Sequence, residues 1–224
     1  MTQIESELQL LKEEVISMWR MVSSQLGKAR TALTNFDKDL AHEVIIKERR
    51  VNGAELKIDR DCENIFALYT PVAVDLRFVL AVLKINSNLE RIGDIAEGIA
   101  KYIISAEAGF RPDLLKVTKV MEMYDESIIM LEDTLTAFIN EDTSLARGVF
   151  KKDDFLDEIN INANRLVGEF LKTYPDELDE ALYALSVIRK LERVGDQSKN
   201  IAEEIIFYIE AKVIKHSSKQ HNLL

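Results

Sequence analysis

"LERIGD" occupies Leu89 to Asp94, and "LERVGD" occupies Leu191 to Asp196, an offset of 102 residues. The first copy lies in a run whose apolar residues, Ile85, Leu89, Ile92, Ala96, Ile99 and Ile103, recur at alternating spacings of four and three. That is the period of a helix with one buried face. A glycine inside a helix costs about 0.8–1.0 kcal/mol relative to alanine, so a chain that places one there twice has a use for it. Lacking a Cβ, Gly93 and Gly195 allow another helix or a ligand to come close to the backbone.

The repetition extends well beyond six residues. At the same offset Ile99-Ala100 meets Ile201-Ala202, and Leu80, Leu83 and Ile85 meet Leu182, Leu185 and Val187. Earlier in each half the offset is 105: Leu40-Ala41, Val44 and Val51 meet Leu145-Ala146, Val149 and Leu156. A three-residue deletion near Pro175 accounts for the change. The chain reads as a tandem duplication of a three-helix unit of about a hundred residues.

Breakers and caps set the expected helix limits. The first half predicts helices over 4–36, from a cap at Asp37 or Asp39 to Tyr69, and from Pro71 to Glu107. "AGFRPD", Ala108 to Asp113, carries Gly109 and Pro112 and is the clearest linker. The second half predicts helices over 113–139, 142–173 and 175–212. The expected fold is all-α: two antiparallel three-helix bundles, 1–107 and 113–212, followed by a flexible tail, 213–224.

Composition agrees with that class and narrows the function. Only eight glycines and three prolines occur in 224 residues, of which 47% are hydrophobic and 30% charged. A net charge of −10 argues against a nucleic-acid binder and leaves cations or basic protein surfaces as partners. The longest uncharged stretch, Asn64 to Val74, is too short to span a bilayer and contains a proline. Cys62 is the only cysteine, and the N-terminus lacks the pattern of a signal peptide, so a cytoplasmic protein is expected. His42, His216 and His221 form no metal-ligating spacing, and no phosphate-cradling loop or activated nucleophile is visible. An enzyme is not expected. Trp19, Met18 and Met21 are read as core.

The acids are more informative. Glu90 and Asp94 stand four apart, on one helix face, and Glu192 and Asp196 repeat them. Glu97 extends the first row. The preceding helix of the first half carries Glu55 and Asp59 at the same spacing, with Glu48 and Asn52 upstream. In the second half Asp153 and Asp157 fall where the alignment puts Glu48 and Asn52. With 39 acids in the chain, a single acidic pair such as Glu55/Asp59 or Asp153/Asp157 means little by itself; recurrence inside the repeat is what gives Glu90/Asp94 and Glu192/Asp196 weight. Two adjacent helices so equipped could build an oxygen-rich pocket for Fe³⁺, Mn²⁺, Mg²⁺ or Zn²⁺. The candidate metal ligands are therefore Glu55, Asp59, Glu90, Asp94, Asp153, Asp157, Glu192 and Asp196. Arg91 and Arg193 are expected to be structural ion-pair partners. Two alternatives stay open: a helical adaptor whose acids bind nothing, and a carboxylate-bridged metalloenzyme, although the Glu-x-x-His pairs of the latter are missing.

The duplicated "LER[IV]GD" followed by "IA", with "VNGAELKID" (Val51 to Asp59), "VDLRFVLAVLKI" (Val74 to Ile85) and "RVGDQSKNIAEEI" (Arg193 to Ile205), resembles the PhoU family of bacterial phosphate-signalling regulators. The likeness covers essentially the whole chain. It departs at Gly98, where an asparagine is usual, and in the second repeat, which lacks an aligned Glu55/Asp59 pair. The resemblance implies a cytoplasmic homodimer that negatively regulates phosphate uptake. It places the protein between the ATPase of the Pst phosphate transporter and a PhoR-type sensor kinase. It also implies multinuclear iron or zinc bound through the acidic pairs.

Overall fold

The structure of the chain, a computed structural model, describes residues 2–214. Seven helices follow one another: α1 (Gln3–Asn35), α2 (Lys38–Tyr69), α3 (Val74–Ser105), α4 (Pro112–Thr118), α5 (Val120–Asn140), α6 (Thr143–Thr173) and α7 (Leu178–Glu210). No strand occurs among the described residues. Helices α1, α2 and α3 pack as one bundle, and α5, α6 and α7 as the second, as the sequence repeat requires. Of the tail expected at 213–224, all but Val213 and Ile214 lies outside the described residues, and His216 and His221 go with it.

The duplication is visible in the turns. Helix α1 ends on Phe36 in the left-handed region (φ 52°), and Asp37 then caps α2 by accepting from the Leu40 amide. Helix α5 ends on Glu141 in the same region (φ 54°), and Asp142 caps α6 by accepting from the Ser144 and Leu145 amides. A left-handed residue stops the helix, and the aspartate satisfies amides that the next helix leaves open.

Three expected boundaries are corrected. Pro71 does not open the third helix. Thr70 and Ala73 both take positive φ (47° and 49°), which a right-handed helix cannot accommodate, so α3 starts at Val74. Pro175 opens only a short 3-10 turn, Pro175–Glu177, before α7 begins at Leu178. The helix expected over 113–139 is broken at Lys119 (φ 54°) into α4 and α5. There the Thr118 hydroxyl donates to the Leu114 and Leu115 carbonyls of the last turn. Helix α4 is held by apolar contact: Leu114 packs with Val167, Phe170, Ala181 and Ala184 in a small cluster of its own.

The bundles share one continuous core, joined where α1 meets α5 and α3 meets α7. Trp19 and Met18 are fully buried, as expected, and Met21 packs against the same core. The Trp19 indole donates to the Leu131 carbonyl at 3.3 Å, and the Tyr124 hydroxyl donates to the Leu26 carbonyl at 3.1 Å, each spanning the two bundles. The α3–α7 contact carries the internal symmetry. Asn200 on α7 donates to Asn88 on α3 at 3.4 Å. At the symmetry-related place Gly98 faces Lys190, and a Cβ on Gly98 would stand 2.5 Å from the ammonium nitrogen. The departure at Gly98 therefore has a local cause: Lys190 takes the space of the missing side chain. Cys62 is buried, and its thiol is pushed up to about 12, chiefly by burial, so it is an unreactive core residue.

Candidate functional site

The repeated glycines each lie against a buried carboxylate of the preceding helix. A Cβ on Gly93 would stand 3.0 and 3.1 Å from the two oxygens of Glu48 and 3.3 Å from Val51 Cγ1. A Cβ on Gly195 would stand 2.9 Å from Asp153 Oδ1 and 2.7 Å from Leu156 Cδ2. The repeat alignment pairs Glu48 with Asp153 and Val51 with Leu156, so one contact is built twice with compensating volumes. The shorter acid accompanies the longer apolar side chain. Close approach is thus the reason for the glycines, and what approaches is an acid.

Around each of these carboxylates the expected acids gather. In the first bundle α2 supplies Glu48, Glu55 and Asp59, and α3 supplies Glu90, Asp94 and Glu97. Glu48 is 4% exposed, and neither of its oxygens has a hydrogen-bond partner. Burial pushes its pKa up, the neighbouring Gln25 amide opposes that, and Asp94, Glu97 and Glu90 push it further, to about 7. Glu55 is raised by burial, then by Asp59 and Asp94. Glu90 is raised by burial, then by Asp94 and Glu55. The buried amide of Asn86 holds the Asp59 carboxylate against α2, donating to Asp59 Oδ1 at 2.8 Å and to the backbone carbonyl of Glu55 at 3.0 Å.

In the second bundle Asp153 and Asp157 on α6 meet Glu192 and Asp196 on α7. Glu192 is raised by burial, then by Asp196, Asp157 and Asp153. Asp153 is raised by burial, against the opposing effect of Lys199. Here a lysine has entered the group. The Lys199 ammonium contacts Asp153 Oδ2 and lies 3.0 Å from Asp196 Oδ1. Burial works against its charge, yet these two carboxylates hold its pKa above the usual lysine value.

All eight residues expected as ligands therefore fall into two groups of four, one per bundle. As the side chains stand, no three His, Cys, Asp or Glu among the described residues are close enough to hold a metal ion. Glu48 stands outside the ligand set expected from sequence, although its position aligns with Asp153. Lys199 and Gln25 were missed altogether. Arg91 and Arg193 make no ion pair with a described residue, contrary to expectation. Both are exposed and border a cavity of about 310 Å³ between α3 and α7, with Asp94, Glu97, Lys101 and Lys190.

The same arrangement has relatives. The PhoU domain matches residues 15–103 and again 120–205, one copy in each bundle. The chain belongs to the PhoU family. It is 32% identical over 212 residues to phosphate-specific transport system accessory protein PhoU homolog 1 of Thermotoga maritima, covering 94% of this chain and 90% of that protein. It is 33% identical over 214 residues to the phosphate-specific transport system accessory protein PhoU of Escherichia coli K12, covering 96% and 88%. The crystal structure of PhoU from Pseudomonas aeruginosa superposes with a TM-score of 0.89 at 30% identity, over 94% of this chain and all of that one. The phosphate transport system regulatory protein PhoU from Streptococcus pneumoniae gives 0.83 at 28% identity, over 95% and all. No helix of this PhoU-family chain, among the described residues, is long and apolar enough to cross a membrane.

Proposed function

We propose that the protein is a cytoplasmic accessory protein of phosphate-specific transport that restrains phosphate uptake and the starvation response. In this reading it acts as a homodimer between the transporter's ATPase and a PhoR-type sensor kinase, and it catalyses no reaction. The observation that carries the reading is the match of both bundles to the PhoU domain, with relatives named as accessory proteins of that transport system. Exposed leucines at matching places of the repeat, Leu76 and Leu80 on α3 and Leu178 and Leu182 on α7, give apolar surface for a partner.

The acidic group of the first bundle supplies the proposed regulatory cation site. Its donors are all oxygen, the preference of hard and borderline cations such as iron, manganese or zinc. Both buried oxygens of Glu48 lack a well-formed hydrogen bond, with only the Gln25 amide beside them, and a bound cation is the explanation proposed for them. Glu48, Glu55, Glu90 and Asp94 are the residues that would hold the ion, after side-chain turns that bring them closer than they now stand. The ion would supply charge neutralisation, locking α2 to α3 where carboxylates otherwise repel.

Deleting the gene and restoring it tests the function. Uptake of labelled phosphate in phosphate-rich medium should rise on deletion and fall when the full chain is returned. Unchanged uptake on deletion would remove the reading.

A further inference from the structure

The two acidic groups differ in one charge. Glu97 on α3 and Lys199 on α7 occupy the same place in the repeat. Glu97 turns along its own helix to Lys101, in an i,i+4 ion pair. No described lysine or arginine forms an ion pair with Glu48, Glu55, Glu90 or Asp94. Lys199 instead turns inward, to the buried Asp153 and to Asp196. The group that lies under the glycine is thus orphaned in one bundle and partnered in the other. Both Glu48 oxygens lack a donor, whereas Asp153 Oδ2 has the ammonium and only Oδ1 lacks one.

We infer that Lys199 is a built-in cation of the second bundle, so that this chain takes a metal ion in the first bundle only. The inference rests on the cation reading proposed for the first bundle. The physical reason is competition for one place. A multivalent ion entering between Asp153 and Asp196 would have to displace an ammonium that these carboxylates already neutralise, or bind beside it against its charge. In the first bundle no ammonium is ion-paired with these acids, and an entering ion gains the attraction of carboxylates that otherwise repel one another.

Manganese(II) titrated into the metal-free full chain, with the free ion followed by electron paramagnetic resonance, tests this. The Glu90→Gln/Asp94→Asn variant should bind about tenfold more weakly or worse. The Glu192→Gln/Asp196→Asn variant, which keeps Lys199, should bind as many ions as the wild type. Lys199→Gln should bind more ions than the wild type, with circular dichroism confirming its helical fold. If Lys199→Gln does not fold, the two acid-pair variants decide alone. Loss of bound manganese in Glu192→Gln/Asp196→Asn would overturn the asymmetry while leaving the cation reading standing. No binding by the wild type or by Lys199→Gln would overturn both.

Discussion

Gly93 lies directly against Glu48: a Cβ there would stand 3.0 Å from one carboxylate oxygen and 3.1 Å from the other. Gly195 stands in the same relation to Asp153. Leucine at either position has no room. Gly93→Leu and Gly195→Leu should each lose about 1–3 kcal/mol through overpacking. Gly53 and Gly148, also in helices, have nothing within 4 Å of the added Cβ. Alanine there should stabilise by up to about 1 kcal/mol, the helix-propensity difference alone. Thermal melts of the four variants check the contrast, and a rise in melting temperature for both leucine variants would end the packing account.

The buried Glu48 should make the metal-free protein sensitive to pH. In the folded chain this carboxyl keeps its proton up to about pH 7, against an ordinary value of 4.5. Between those values the folded state binds more protons than the unfolded chain, so stability falls as pH rises through that window. At about 1.4 kcal/mol per pKa unit the loss is at most about 3 kcal/mol. Glu48→Gln keeps the shape and removes the charge, and should flatten the slope. Urea unfolding of both metal-free proteins on either side of the window measures it; equal slopes would show that Glu48 is not the group responsible.

Lys199 should be a stabilising residue. Lys199→Ala strands the Asp153 carboxylate, whose side chain is only 6% exposed. The expected cost is about 3 kcal/mol, because one half of a buried pair is left uncompensated. Adding Asp153→Asn should recover most of it, since no stranded charge remains. A double-mutant cycle in urea gives the coupling directly, and additive losses would mean that the contact contributes nothing.

Much of this was legible in the sequence, and the gaps have physical causes. The period of four and three placed the buried face of α3, and the offset between the two glycines revealed the duplication before any contact was known. Periodicity reports which face points inward, but not which acid on that face is sealed from water. Glu55 and Asp59 therefore looked the better ligands, although Glu48 is the one beneath the glycine. Lys199, three residues after Asp196, carries no signal in the sequence, because the direction of its side chain depends on contact with Asp153 on another helix. The break at Lys119 carries neither glycine nor proline to announce it, and the packing of Leu114 against α6 and α7 that sets α4 apart is a tertiary contact. Pro71 misled in the other direction. Its fixed φ suits a helix start, yet the positive φ of Ala73 two residues later postpones the helix to Val74.

The proposed link between the acidic group of the first bundle and the restraint of phosphate uptake is read by one measurement. Uptake of labelled phosphate in phosphate-rich medium should be compared in a deletion strain carrying either the wild-type chain or Glu90→Gln/Asp94→Asn, at matched protein levels. Both side chains reach the surface in part, so the variant should fold and accumulate normally. The wild type should restore repression, and the variant should leave uptake high. A variant that represses as fully as the wild type would contradict the account.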